Sequence, residues 1–239
     1  MMPKGMYPSI NANNIKSIRI PLPPIDIQKK IAAECKKVDE KQKEIAELIK
    51  IAKDHISAII SSITSSNGIE KSLESLCVDM YAGGDKPRIF SKTLTEKCFI
   101  PVYSNGVENN GLYGYTNEPK EKRRTITVSA RGTLGYTVLH EAPFVPIVRL
   151  IVLVPNQDIV LPEYLKAALD NHGFVNTGGV TPQLTVPNLK GYRLFIPDKE
   201  TQQKIVSRIC EQEEKILHLK NEMSEISNTK QSILDKYLK

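Results

Sequence analysis

Residues Gly5 to Ile31 read GMYPSINANNIKSIRIPLPPIDIQKKI, and residues Gly179 to Ile205 read GVTPQLTVPNLKGYRLFIPDKETQQKI. The second stretch is the first one displaced by a constant 174 positions. Identities fall at Gly5/Gly179, Pro8/Pro182, Asn14/Asn188, Lys16/Lys190, Arg19/Arg193, Pro23/Pro197, Gln28/Gln202, Lys30/Lys204 and Ile31/Ile205. Ile10/Leu184, Ile15/Leu189, Ile20/Leu194 and Leu22/Ile196 keep apolar character. Nine identities in 27 ungapped positions mark an internal repeat, so the chain carries the same strand-turn-helix entrance twice.

Beyond the identities the repeat persists as a pattern. Ile31, Cys35, Val38, Gln42, Ile45, Ile49, Ala52, Ile56, Ile59 and Ile63 advance by alternating steps of four and three, the spacing of a coiled-coil seam. Their counterparts Ile205, Ile209, Gln212, Ile216, Leu219, Met223, Ile226, Lys230, Ile233 and Tyr237 keep the register. Neither stretch contains glycine or proline, while Pro23-Pro24 and Pro197-Asp198 mark the entrances. Each helix is predicted to run about 33 residues or more, roughly 50 Å at about 1.5 Å per residue. One such stripe describes an ordinary amphipathic core helix equally well. Two in one register favour a helix pair, running antiparallel or meeting by pseudo-symmetry, with Gln42 and Lys230 as polar interruptions that fix register.

Between the helices the pattern changes. Asn105-Gly106 and Asn110-Gly111 read as hairpin-type turns, Thr125 to Ala130 alternates as a β-branched strand, and Ile147 to Val154 reads as a buried strand. Pro162 to Asn171 is a short helix opened by proline. The region from Leu73 to Pro197 is large enough for its own mixed α/β core.

The 239 residues are 40% hydrophobic and 25% charged, which excludes collagen, wholesale disorder and a disulfide scaffold. The run Ile147 to Val154, interrupted by Arg149, is far short of the roughly 20 residues a bilayer requires. Met1 to Ser9 lacks a signal-peptide core, and Cys35, Cys77, Cys98 and Cys210 are scattered without a C-x-x-C pair. A reducing cytoplasm is the expected location. Net charge is +6, a mild excess that suits a nucleic-acid partner, while the two helical segments are dense in both signs and nearly neutral, as solvated helices are.

Catalytic signatures are missing from the sequence. There is no P-loop, H-E-x-x-H or G-x-S-x-G, and no [DNS]-P-P-[YFW] run of the kind used in amino-methyl transfer. Pro197-Asp198-Lys199-Glu200 reads as a strand-to-helix turn capped by Asp198 or Thr201 in preference to a nuclease site. His55, His140, His172 and His218 are isolated and read as solvated or satisfied side chains.

Taken together and in order, IPLPPIDIQKKI (Ile20 to Ile31), IPVYSNGVENNGLYGYTNE (Ile100 to Glu118), TITVSARGTLGY (Thr125 to Tyr136), GGVTPQLTVPNLKGYRLFIP (Gly178 to Pro197) and FIPDKETQQKI (Phe195 to Ile205) resemble the specificity (S) subunits of type I restriction-modification systems. The resemblance covers nearly the whole chain. It implies an α+β fold: one compact mixed α/β target-recognition domain flanked by two long coiled-coil-forming helices. Residues 1–24 would be the tail strand segment of a truncated recognition domain, 25–66 and 199–239 the conserved spacer helices, and 67–198 the recognition domain. Counterparts of residues 65 to 178 do not precede Met1, so the chain reads as a half-sized S subunit.

Such a subunit reads half of a bipartite site in double-stranded DNA and scaffolds methyltransferase (M) subunits, with restriction (R) subunits joining. It has no catalysis and no cofactor of its own; S-adenosylmethionine, Mg and ATP belong to the partner subunits. A homodimer is expected, because two copies rebuild a two-fold reader of an interrupted palindrome. Two other readings stay open: the detached recognition module of a fused restriction-methylation enzyme, and a coiled-coil adaptor that binds protein.

Base-edge readout requires paired donors and acceptors, and phosphate contact requires cations on loops. Asn105, Arg131, Thr181 and Gln183 are the candidates for bases, and Lys86, Arg88, Lys122, Arg123 and Arg124 for phosphates. Against this stand simpler roles: Asn105 as a turn residue, Lys120 to Arg124 as a solvated loop, and Tyr113, Tyr115 and Tyr136 as packing residues.

Overall fold

A computed structural model describes residues 15–16, 21–62, 68–141, 143–174 and 183–238. The two seams form helices α1 (Ile25–Ser61) and α5 (Lys199–Leu238), of 37 and 40 residues. Every seam position among the described residues is buried or half-buried. Asp198 caps α5, accepting the Thr201 N–H on Oδ1 at 2.8 Å, and that bond together with the one from the Thr201 hydroxyl holds its carboxyl below the ordinary value.

The chain divides into two compact units, the first comprising residues up to Lys50 and from Ile216 onward, the second Ile51–Lys215. In the first unit the two helices pair antiparallel. Tyr237 donates its hydroxyl to Glu34 at 2.7 Å, Lys230 pairs with Asp39, Lys41 pairs with Glu222 at 2.8 Å, and Gln42 Nε2 donates to Ser227 Oγ at 3.3 Å. From Glu34 with Tyr237 through Asp39 with Lys230 to Gln42 with Ser227 one number climbs as the other falls. These contacts are largely solvent-exposed, and an exposed ion pair contributes at most about 1 kcal/mol. Burial of Val38, Ile45, Ile216, Leu219 and Ile233 therefore carries the pairing, and the polar contacts set its register.

The second unit opens with β1 (Ile69–Ser72), a turn of helix α2 (Leu73–Leu76) and β2 (Cys77–Ala82). There follow β3 (Ile100–Tyr103), β4 (Leu112–Thr116), β5 (Thr125–Ser129), β6 (Thr137–His140), β7 (Val145–Pro146) and β8 (Leu150–Pro155). Helix α3 (Pro162–His172), short helix α4 (Val186–Lys190) and β9 (Arg193–Ile196) complete it. An antiparallel sheet runs in the order β2-β8-β5-β6, a smaller one in the order β4-β3-β7, and β1 pairs with β9.

Strands β5 and β8 are buried at every residue, because each face of the central sheet is covered. Ile126 opposite Leu153 and Val128 opposite Ile151 turn one face to Tyr164, Leu165 and Leu169 of α3. The same core takes in Ile59 and Ile60 at the end of α1 and Ile205, Val206 and Ile209 at the start of α5, so those helix ends belong to this unit. A separate small core of Ile100, Val102, Val145 and Ile147 lies within the smaller sheet.

Two expectations are corrected here. The run Ile147 to Val154 is not one strand: Val145–Pro146 pairs in parallel with Val102 and Tyr103, the chain turns, and β8 begins only at Leu150 in the other sheet. Nor are Asn105-Gly106 and Asn110-Gly111 two separate hairpin turns. Both lie in the single connection between β3 and β4, where Asn109, Asn110 and Gly111 successively adopt positive φ.

His140, at the end of β6, is 5% exposed, shares a 2.8 Å hydrogen bond with Thr127 Oγ1 and stacks on Phe144. Burial pushes its pKa down to about 4. The unfolded chain binds this proton near pH 6.5 and the folded one does not, so the neutral imidazole stabilises the fold above about pH 6.5 and that contribution fades as pH falls toward 4. Urea unfolding should show about 2 kcal/mol lost between pH 7 and pH 5, above the range where carboxylates titrate. In His140→Phe that slope should flatten; an equal slope in the variant would place the loss elsewhere.

Candidate nucleic-acid interface

Residues far apart in sequence meet where four loops leave the strands. They are the turn after β2 (Gly83–Arg88), the start of the β3–β4 connection (Ser104-Asn105), the turn after β5 (Ala130–Thr133) and the link between β7 and β8 (Ile147–Arg149). Main-chain bonds tie them together. Val148 N–H donates to Gly84 O at 2.8 Å, Ala130 N–H to Arg149 O at 2.9 Å, and Ile147 N–H to Tyr103 O at 2.9 Å. Ser104 Oγ donates to Val148 O at 3.0 Å, and Asn105 Nδ2 donates to Arg131 O at 3.0 Å. Leu184 N–H donates to Ala130 O at 2.9 Å, which brings the exposed Gln183 alongside Arg131.

Two glycines permit this packing. A Cβ on Gly83 would lie 2.5 Å from Ile147 O, and one on Gly111, at φ +80, would lie 2.2 Å from Ser104 O. Neither position has room for a side chain, so both loops depend on glycine to approach their neighbours.

The cations separate into two groups. Lys86, Arg88 and Lys122 are exposed, Arg131 is half-buried, and among the described residues none of their side chains makes an ion pair. Lys86 Nζ rests over the Phe90 ring at 4.6 Å. Arg123 and Arg124, expected on phosphates, are instead engaged with acids of the domain. Arg123 bonds Glu121 at 2.9 Å and Asp79 at 3.0 Å, and Arg124 bonds Glu141 at 2.8 Å and Glu163 at 2.9 Å. Glu121 also accepts the Tyr81 hydroxyl at 2.7 Å. Burial alone would raise the Glu121 carboxyl, but bonds from Arg123, Tyr81 and the N–H groups of Lys122 and Arg123 outweigh it and hold the pKa at about 2. This is the geometry of a brace between strands, in which carboxylates hold the Nε and one terminal nitrogen of each guanidinium.

Asn105 is likewise engaged. Its amide nitrogen holds the Arg131 carbonyl, so it positions the loop on which Arg131 sits, and its oxygen lies 3.2 Å from Ser104 Oγ, whose one proton is directed to Val148 O. Thr181 lies outside the described residues. Arg149, which interrupts the apolar run Ile147 to Val154, joins the exposed cations of this loop cluster. A charged residue inside an otherwise apolar run was the available signal, and the turn between the two sheets is its cause.

With two long helices and one mixed α/β unit ending in this loop cluster, the architecture is that of a type I specificity subunit. It superposes on the solved S subunit of the M. genitalium type I restriction-modification system with a TM-score of 0.65 at 18% identity, covering 90% of this chain and 62% of that one. A second solved chain, from work on assembly of a type I R-M system, matches with a TM-score of 0.71 at 19% identity over 100% of this chain and 66% of that one.

The family model described as type I restriction modification DNA specificity domain matches residues 4–53 and 77–228, and the chain belongs to that family. A putative type I specificity subunit of Mycoplasma pneumoniae is 30% identical over 86% of this chain and 58% of its own length. The specificity subunit of the HindI type I restriction enzyme of Haemophilus influenzae is 37% identical over 28% of this chain and 17% of its own length. The chain thus spans about six-tenths of the Mycoplasma relative. Among the described residues no helix is long and apolar enough to cross a membrane.

Proposed function

We propose that this chain is a non-catalytic, sequence-specific reader of double-stranded DNA, acting in the cytoplasm within a type I restriction-modification complex. The 67–198 domain reads half of a bipartite site, and the spacer helices scaffold methyltransferase subunits, to which restriction subunits add. S-adenosylmethionine, Mg and ATP are bound by those partners. A homodimer places two such domains on opposite orientations of an interrupted palindrome. Arg131, Gln183 and Thr181 supply base contacts, and Lys86, Arg88 and Lys122 supply phosphate contacts.

The observation that carries this reading is the loop cluster, which gathers unpaired cations and an exposed amide at one end of the sheets on a main chain held by hydrogen bonds. Rigid loops bearing open donors suit a groove, because little ordering entropy is lost on contact.

The test is duplex binding by the purified chain across a salt series, with light scattering alongside. Three phosphate cations per copy predict a log–log slope of about −3 for each copy bound, with no methyl transfer by the chain alone and the mass of two copies. Binding that ignores salt, or none at all, would favour a protein-binding adaptor. A strictly monomeric mass would remove the dimer and leave the reader.

A further inference from the structure

The link between β7 and β8 holds a dipeptide, Val148-Arg149, that belongs to neither core. Val145 and Ile147 before it fill the smaller core, and Leu150 and Ile151 after it fill the central sheet. Val148 itself is 50% exposed, Arg149 is exposed, and among the described residues the Arg149 side chain makes no ion pair. The backbone between them is nevertheless fastened from three sides: Val148 N–H to Gly84 O, Val148 O to Ser104 Oγ, and Arg149 O to Ala130 N–H. A half-exposed valine on a rigid mount adds little to folding, since much of its apolar surface stays in water. Flexibility does not explain its position either, because three loops converge to fix it.

Beside it the surface is cationic. The Lys120 ammonium lies so near Gly84 that a methyl there would come within 2.7 Å, and Arg131 follows Ala130 directly. An exposed apolar group among cations matches one feature of duplex DNA. In the major groove the thymine C5-methyl is the apolar mark on the base edges, while the O6/N7 pair of guanine matches a guanidinium fork.

We infer that Val148 and Arg149 form a specificity-determining pair, Val148 packing on a thymine methyl and Arg149 forking onto guanine of a neighbouring base pair. This rests on the duplex-reading function proposed above. It extends that function to residues whose pairing follows from the turn between the sheets.

The test enriches duplexes from a random pool with the full-length chain, then substitutes uracil for each thymine of the selected motif, which removes only the methyl. At one thymine, uracil should weaken the unmodified chain by about fourfold and leave Val148→Ala unaffected. Arg149→Lys keeps the charge but loses the fork, so its salt slope should stay while its preference for one guanine falls about tenfold. A motif that responds to neither substitution overturns the pair and leaves the duplex reader standing. If the unmodified chain selects no motif, the reader itself fails and the pair with it.

Discussion

Gln202→Ala should destabilise the chain by about 3 to 5 kcal/mol, whereas Gln28→Ala should cost about 1 kcal/mol, although the two residues occupy the same position of the repeat. Each donates its amide to the carbonyl of the repeat proline five residues earlier, Gln28 to Pro23 at 2.8 Å and Gln202 to Pro197 at 2.9 Å. The local purpose is the same, to close the turn that starts the helix.

Gln202 does more. It is fully buried, donates also to Ile159 O at 3.1 Å, and accepts the Leu161 N–H at 2.8 Å, so one side chain joins the start of α5 to the segment leading into α3. Truncating it leaves a donor and two acceptors, the Pro197 carbonyl buried and the Ile159 and Leu161 groups partly so, without their partner, at about 1 to 3 kcal/mol for each buried group left unpaired. Gln28 is half-buried, and water can replace what its loss removes. Urea unfolding of both variants at one slope checks the difference. Equal losses would mean that the turn, common to both, carries all the energy and the inter-element bonds none.

That comparison shows how far a repeat can be read. Local structure transfers: Ile15 and Lys16 are helical like their counterparts Leu189 and Lys190, and both seams became helices of the expected register. Environment does not transfer. Leu22 is 83% exposed while its counterpart Ile196 is 5% exposed, and Ile15 at 61% answers to Leu189 at 0%. Turn chemistry and heptad spacing are written within a few residues, but burial depends on what else the chain brings up.

The same distinction separates the parts of the candidate site. The exposure of Lys86 and Arg88 was legible because cations after a glycine turn need no partner to be understood. Arg123 and Arg124 looked alike in a basic run, yet their fates were decided by Asp79, Glu121, Glu141 and Glu163, of which all but Glu121 are distant in sequence. The order β2-β8-β5-β6 is non-local in the same way, and it is what brings the loop of Arg131 to Arg149.

Arg131→Ala should cost about 1 to 3 kcal/mol on the cognate duplex and far less on random sequence, because a bidentate contact to guanine is lost at one base pair. Lys122→Ala should act differently, weakening all duplexes alike and reducing the salt slope by about one unit. Asn105 supplies the discriminating arm. Its amide fixes the Arg131 carbonyl and makes no outward contact of its own, so Asn105→Ala should lower cognate affinity in the same direction as Arg131→Ala while leaving the salt slope unchanged. If Asn105 acts through Arg131, the double variant loses no more than Arg131→Ala alone, since a positioning residue has nothing left to position. Fully additive losses would mean that Asn105 touches a base directly, and equal losses for Arg131→Ala on cognate and random duplex would reduce Arg131 to one more phosphate cation.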